Sequence, residues 1–280
     1  MRFLMKEYGS LVRLKDANDA EASFEKLKEL GFSYCQLVYK PQVYTVDDAK
    51  IIREAAKKQN VRIVSLFAGY NDIYTKWDMY EDYKTAGINS KKYGKKRLAY
   101  IKSAAAFAKN IGVEDVLIHA GFIANNPFSK EYKYMKKCLV QFARYCKNIG
   151  VNVLLETGGE SPVTLLRMIE DIQLGNLYAN LDTANLIMYG FGNPVDAVHT
   201  LNKYIKSMHI KDGVPPTNPN VLGAEMPIGK GFVDFKRVFA EIEKIGYDGP
   251  IIIEREIDGE QQLQDLKAAI HYLNTEIFGE

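Results

Sequence analysis

The 280-residue chain is 47% hydrophobic and 26% charged, which suits a soluble globular protein with a large buried core. Its 37 basic and 35 acidic residues leave a formal net charge of +2, so nucleic acid gains no support as a partner. The cysteines Cys35, Cys138 and Cys146 form no Cys-x-x-Cys pair, the N-terminus has no signal-like apolar stretch, and no run approaches the ~18 apolar residues of a membrane span, so the expectation is a reduced, cytoplasmic protein without a membrane partner.

In chain order, strand patterns fall at 2–8 (RFLMKEY), 33–39 (SYCQLVY), 61–67 (VRIVSLF), 115–120 (DVLIHA), 152–156 (NVLLE), 177–182 (LYANLD), 205–210 (IKSMHI) and 250–255 (PIIIER). Helical patterns alternate with them at roughly 19–30, 46–59, 94–111, 129–149, 162–173, 194–203, 234–245 and 260–276. Asn18 or Asp19, Thr45, Ser129, Ser161 and Asp234 stand where N-caps belong, and Pro162 suits a first helical position. A junction repeats in ELGFSYCQL (29–37), KNIGVEDVLI (109–118), KNIGVNVLL (147–155) and EKIGYDGPIII (243–253): a helix end, a capping glycine, then an apolar strand. Eight such units of about 35 residues predict a single (β/α)8 TIM barrel domain over residues 1–280. The long connections 68–93, which holds the sole tryptophan Trp77, and 211–233 are expected to rise over the carboxyl mouth as lids or substrate walls.

Four successive strands in the second half end in metal-ligand side chains: Glu156, Asp182, His209 and Glu254. A charge closing an apolar strand is costly unless paired or metal-bound. Neighbouring parallel strands would bring all four to the mouth where barrel enzymes keep their active sites. Three oxygens and one nitrogen form a hard to borderline set. One divalent cation is therefore expected, Mn²⁺ first, with Mg²⁺, Co²⁺ or Zn²⁺ as alternatives. The chain has no Walker loop and no strand-linked G-x-G-x-x-G, so no nucleotide cofactor is expected.

The segments LLETGG, NLDTANL, MHIKDG, PIGKGFVDF and GYDGPIIIERE resemble the xylose-isomerase-like barrel superfamily, which includes sugar and sugar-phosphate isomerases and epimerases, inosose dehydratases and the endonuclease IV group. In the ketose 3-epimerase branch, the resemblance implies a metal site of Glu156, Asp182, His209 and Glu254, with Glu156 and Glu254 also moving the proton. The implied activity is isomerisation or epimerisation of a sugar, sugar phosphate or related polyol ketone through a metal-stabilised cis-enediolate. A dehydratase of the inosose or dehydroshikimate type is the alternative. The chain's four histidines are too few for the three-zinc endonuclease site, and a non-catalytic sugar-binding barrel leaves the paired glutamates unexplained. A small carbohydrate is the expected partner, and homo-oligomerisation stays open.

Where many relatives have a histidine, Asn185 stands here, suited to hydrogen-bond a substrate oxygen. His119 either contacts substrate or is a core histidine. Lys211 either polarises a substrate oxygen or pairs with Glu254 or Asp182. Tyr8 and Phe67, read as ends of strands one and three, line a sugar pocket or pack in the core. The run KKYGKKR (91–97) attracts a phosphate or is a solvated helix start. IGKG (228–231) has the form of an anion-binding turn.

Overall fold

The computed structural model describes residues 7–69, 75–76 and 86–279. Eight parallel strands close into a barrel: β1 (Gly9–Val12), β2 (Tyr34–Val38), β3 (Arg62–Phe67), β4 (Asp115–Ile118), β5 (Asn152–Glu156), β6 (Leu177–Asp182), β7 (Ile205–Ile210) and β10 (Ile251–Ile253). Each pairs with the barrel strand before it, and β10 closes on β1 through Gly9↔Ile252 and Ser10↔Ile253. Between β7 and β10, the short strands β8 (Asp212–Gly213) and β9 (Glu225–Met226) pair antiparallel.

The helices are α1 (Ala20–Glu29), α2 (Ala49–Lys58), α3 (Gly94–Ile111), α4 (Lys130–Asn148), α5 (Pro162–Ile172), α6 (Asn185–Tyr189), α7 (Pro194–Leu201), α8 (Phe235–Lys244) and α9 (Glu260–Tyr272). They form because apolar side chains recur at helical spacing. Phe24 and Leu27, Leu139 and Phe142, or Val238, Phe239 and Ile242 lie buried on the inner stripe of their helices. Ser129, Ser161 and Asp234 cap as expected, each accepting a backbone N–H three residues on. Asp19 instead accepts from Ser23 Oγ and the Lys15 amide, and makes no cap bond to its helix backbone. The barrel order and most element bounds match the sequence pattern; the five-residue helix α6 and the β8–β9 pair had no periodic signal.

The first strand is a correction. Residues 2–6 of the expected strand lie outside the described residues, Glu7 and Tyr8 are not in strand, and pairing begins at Gly9. The reason is packing under Tyr34. A Cβ on Gly9 would sit 2.3 Å from the Tyr34 ring, so only glycine opens this strand. The Tyr34 hydroxyl then donates to the Glu7 carbonyl at 2.9 Å and holds the incoming chain. Of the long connection after β3, Trp77 and residues 70–74 and 77–85 lie outside the described residues.

The inside of the barrel is not uniformly apolar. Strand alternation puts Asn180 on the face of Asp182 and Ser207 on the face of His209, and both are fully buried. Gln36 from β2 donates to Ser65 from β3 across this interior at 2.8 Å. A polar floor thus lies beneath the carboxyl mouth.

Candidate active site

Glu156 closes β5, Asp182 closes β6, His209 lies one residue from the end of β7, and Glu254 directly follows β10. These strands are consecutive around the wall. Asp182 is in register with His209, and the Glu254 amide donates to Ile210 at 3.1 Å. One donor atom from each of the four side chains lies within 4.8 Å of the others, and all four residues are buried. His209 Nδ1 is 2.8 Å from Glu156 Oε1, 2.9 Å from Glu254 Oε2 and 3.9 Å from Asp182 Oδ2.

Each donor is aimed by a neighbour. Asp182 Oδ1 accepts the Ala184 and Asn185 amides at 2.8 and 2.7 Å, which leaves Oδ2 for the cluster. That second oxygen is buried without a hydrogen bond. Thr157 Oγ1 accepts the Asp182 amide at 2.9 Å and locks β5 to β6 at this level. On His209, Nε2 donates to Gln36 Oε1 at 2.9 Å, and the Gln36 amide is oriented in turn by Ser65. Nε2 therefore carries the proton, and Nδ1 faces the carboxylates. Sequence reasoning missed Gln36. Its signal was a lone amide in the middle of the otherwise apolar strand YCQLV.

Acidic and basic groups balance one another within the cluster. Burial raises Glu254, yet the charges of His209 and Lys211 outweigh it and hold the carboxyl at about 2. Burial likewise opposes the charge on Glu156, and His119 and His209 more than reverse that. Asp182 is pushed up to about 7 by burial, helped by Glu156 and Glu254 and opposed by Lys211. Burial works to lower His209, but Glu254 and Glu156 hold its imidazole well above the usual range. Nδ1 meets two carboxylate oxygens at hydrogen-bond distance only with a proton or a cation between them. Opposite ligands of one ion stand roughly 4–5 Å apart for Mg²⁺- to Ca²⁺-type bond lengths. The donor spacing, the unbonded Asp182 Oδ2 and the hard to borderline donors fit one divalent cation.

The remaining expected residues divide. His119, just beyond β4, puts Nε2 2.8 Å from Glu156 Oε2. Phe67 stands edge-on to His119 and His209, with ring centroids 5.7 and 6.3 Å apart, so it forms an apolar wall of the cluster. Asn185 lines the adjoining cavity, and its side chain donates to the Thr157 carbonyl at 3.2 Å. Lys211 is buried in ion pairs, 2.7 Å from Glu256, 3.5 Å from Asp182 and 3.8 Å from Glu254. Tyr8 is a correction. It precedes β1 at the amino end of the barrel, away from the carboxyl mouth, and its hydroxyl donates to Asn274 at 2.9 Å.

Two basic or glycine-rich segments also find internal employment. Arg97 of the run 91–97 is buried, donating to Gly87 O at 3.1 Å and Thr75 Oγ1 at 2.6 Å, so it anchors the connection after β3. The turn at 228–231 does hold an anion, and that anion is the chain's own Asp212. Its carboxylate accepts the amides of Gly213, Gly229, Gly231 and Val233 at 2.8–3.1 Å. The connection after β3 also touches the one after β4 at a pair of glycines. A Cβ on Gly87 would lie 2.3 Å from Gly121 Cα.

Beside the cluster is a cavity of about 180 Å³, lined by His119, Glu156 and Asn185 and walled by Phe122, Leu165 and Met188. Glu160, which the sequence reading passed over, also lines it. Burial pushes its carboxyl up to about 8, with His119 opposing.

The fold has counterparts among known proteins. A solved xylose isomerase domain protein from Planctomyces limnophilus is 28% identical, with a TM-score of 0.87 over 98% of this chain and 99% of that one. The 3-keto-D-glucoside 4-epimerase of E. coli is 16% identical, with a TM-score of 0.72 over 96% and 99% of the two chains, a likeness of fold. The uncharacterized protein MJ1311 of Methanocaldococcus jannaschii is 24% identical over 272 residues, 91% of this chain and 86% of that protein. The sequence profile described as Xylose isomerase-like TIM barrel matches residues 24–276. The chain belongs to the xylose isomerase-like TIM barrel family.

Proposed function

We propose that the protein is a divalent-metal-dependent isomerase or epimerase of a sugar or related polyol ketone, phosphorylated or not. One observation carries the reading: Glu156 and Glu254 converge on a single donor cluster from strands separated by β6 and β7. Two carboxylates reaching one point from different sides of the wall suit a reaction that removes a proton from one face of a carbon and returns one to the other. The 4-epimerase named above has a similar barrel, in keeping with this class of reaction.

Glu156, Asp182, His209 and Glu254 would hold the cation. When bound, it supplies Lewis-acid stabilisation of the negative charge that develops on the substrate oxygen as the neighbouring C–H bond breaks, an effect worth several kcal/mol. One of the two glutamates takes the proton from the carbon beside the carbonyl, and the electron pair moves toward the carbonyl oxygen. Returning a proton to the same carbon from the opposite face inverts it; returning it to the former carbonyl carbon interconverts aldose and ketose. With His209 a neutral ligand, the bound cation and the Lys211 ammonium would keep both glutamates ionised at neutral pH, so either could serve as the base. Asp182, tied through Oδ1, holds its place. Phe67 and Phe122 keep bulk water from the reacting carbon.

Ketoses incubated with the protein and Mn²⁺ in deuterated water test this by nuclear magnetic resonance. The wild type should place deuterium on carbon, and Glu156→Gln or Glu254→Gln should slow exchange by ~10²-fold or more. A new ultraviolet enone band would point to elimination instead. Sugar binding with no exchange in the wild type would reduce the site to a binding barrel.

A further inference from the structure

The connection from β5 to α5 carries a carboxyl that proton transfer does not use. Glu160 lies four residues beyond Glu156 and is 5% exposed. Its carboxyl has no hydrogen bond or ion pair among the described residues. It borders the same cavity as His119, Glu156 and Asn185. The backbone is built to bring it there: a Cβ on Gly159 would lie 2.7 Å from the Phe122 ring, so this glycine lets the loop press against the cavity wall. A buried carboxyl with no partner is costly to the fold. Such a group, facing a cavity beside a reactive cluster, marks a place that a ligand completes.

We propose that Glu160 is a specificity residue that hydrogen-bonds a hydroxyl of a polyol ketone, at a carbon beyond those facing the metal-ligand cluster. The assignment rests on the isomerase or epimerase reading and names a hydroxyl contact within it. Burial keeps the Glu160 carboxyl protonated at neutral pH, so it both donates to and accepts from a hydroxyl, replacing the water that the sugar gives up. Phe122, Leu165 and Met188 supply the apolar face that a sugar's C–H groups pack against.

The test compares wild type, Glu160→Leu and Glu160→Gln, each with Mn²⁺, on a free ketohexose and its monodeoxy analogues, using deuterium exchange for kcat and KM. The wild type should prefer the free ketose over one deoxy analogue by about tenfold or more. Glu160→Leu should raise KM for the free ketose by about tenfold with kcat within about threefold, and should erase the preference over that analogue. Glu160→Gln, which keeps a donor and an acceptor, should retain the preference. A melting temperature for Glu160→Leu at or above that of the wild type would show that the fold is intact. An active wild type alongside a Glu160→Leu with unchanged KM and unchanged preference overturns this assignment alone. No exchange by the wild type with any ketose removes the isomerase reading and this assignment with it.

Discussion

Replacing Gln36 by leucine separates the orientation of His209 from its mere presence. Gln36, Ser65 and His209 are all buried, and the amide bridges the other two at 2.8 and 2.9 Å. Leucine fills nearly the same space, so the loss is an acceptor rather than a cavity. A buried Nε2–H left unpaired costs about 1–3 kcal/mol. Removing the partner that orients a ligand imidazole typically lowers metal affinity by about 10–100-fold. At saturating Mn²⁺ each tenfold loss removes about 1.4 kcal/mol of metal-induced stabilisation. The expected deficit is therefore about 1.4–2.8 kcal/mol. With roughly 2–4 °C per kcal/mol for a chain near this size, the rise in Tm on adding Mn²⁺ should shrink by about 3–11 °C. Differential scanning calorimetry with and without Mn²⁺, and after chelation, measures it directly; titration calorimetry gives the affinities. A Gln36→Leu variant with the wild-type Mn²⁺ affinity and the wild-type Tm increment would refute the role assigned to the amide. A wild type with no Mn²⁺-dependent increment would remove the cation itself.

Two further outcomes follow from charges buried elsewhere. Asp212→Ala strips four backbone amides of their acceptor. With charge-assisted bonds worth about 1.5–3 kcal/mol each and not additive, we expect a loss of about 3 kcal/mol or more in urea unfolding, and new protease cleavage within 213–231. Unchanged stability and an unchanged digest would show that the loop holds itself without Asp212. The Glu160 carboxyl, raised from an ordinary 4.5 to about 8, gives a pH signature. Between those values the folded chain binds more protons than the unfolded one, so the group lowers stability progressively as pH rises. Glu160→Gln lacks this, so its melting temperature should gain on the wild type from pH 4.5 to 8 by an amount corresponding to a few kcal/mol at most. A constant difference across that range would mean that the carboxyl is ordinary.

The fold was legible because its signals are local and repeated. Strands β5, β6 and β7 match the patterns at 152–156, 177–182 and 205–210, where Val, Ile and Leu runs follow a helix or a capping turn. The four cluster residues were legible for a related reason: each ends an apolar run, where a charge is conspicuous. Gln36 was hidden because its partner His209 is distant in sequence and joins it only across the closed barrel. Glu160 was hidden because a carboxylate in a loop reads as solvated until Phe122 and Leu165, from other elements, wall its cavity. Glu7 and Tyr8 fitted a strand by composition, and the point at which pairing begins follows from the close approach of Gly9 to the Tyr34 ring, which composition does not carry. The glycine turn at 228–231 announced an anion without revealing that residue 212 would be that anion.

Gly87 and Gly121 bring two rim connections into direct backbone contact, with φ of +82° and +98°. Neither position can acquire a side chain without prising the two apart. Enlarging or trimming the neighbouring cavity must then fall to residues that already have bulk to exchange, such as Phe122, Met188 and Leu222. A library aimed at new sugars would do well to randomise those three and leave the glycine pair alone, since variation there would cost the rim its shape before it changed what the cavity admits.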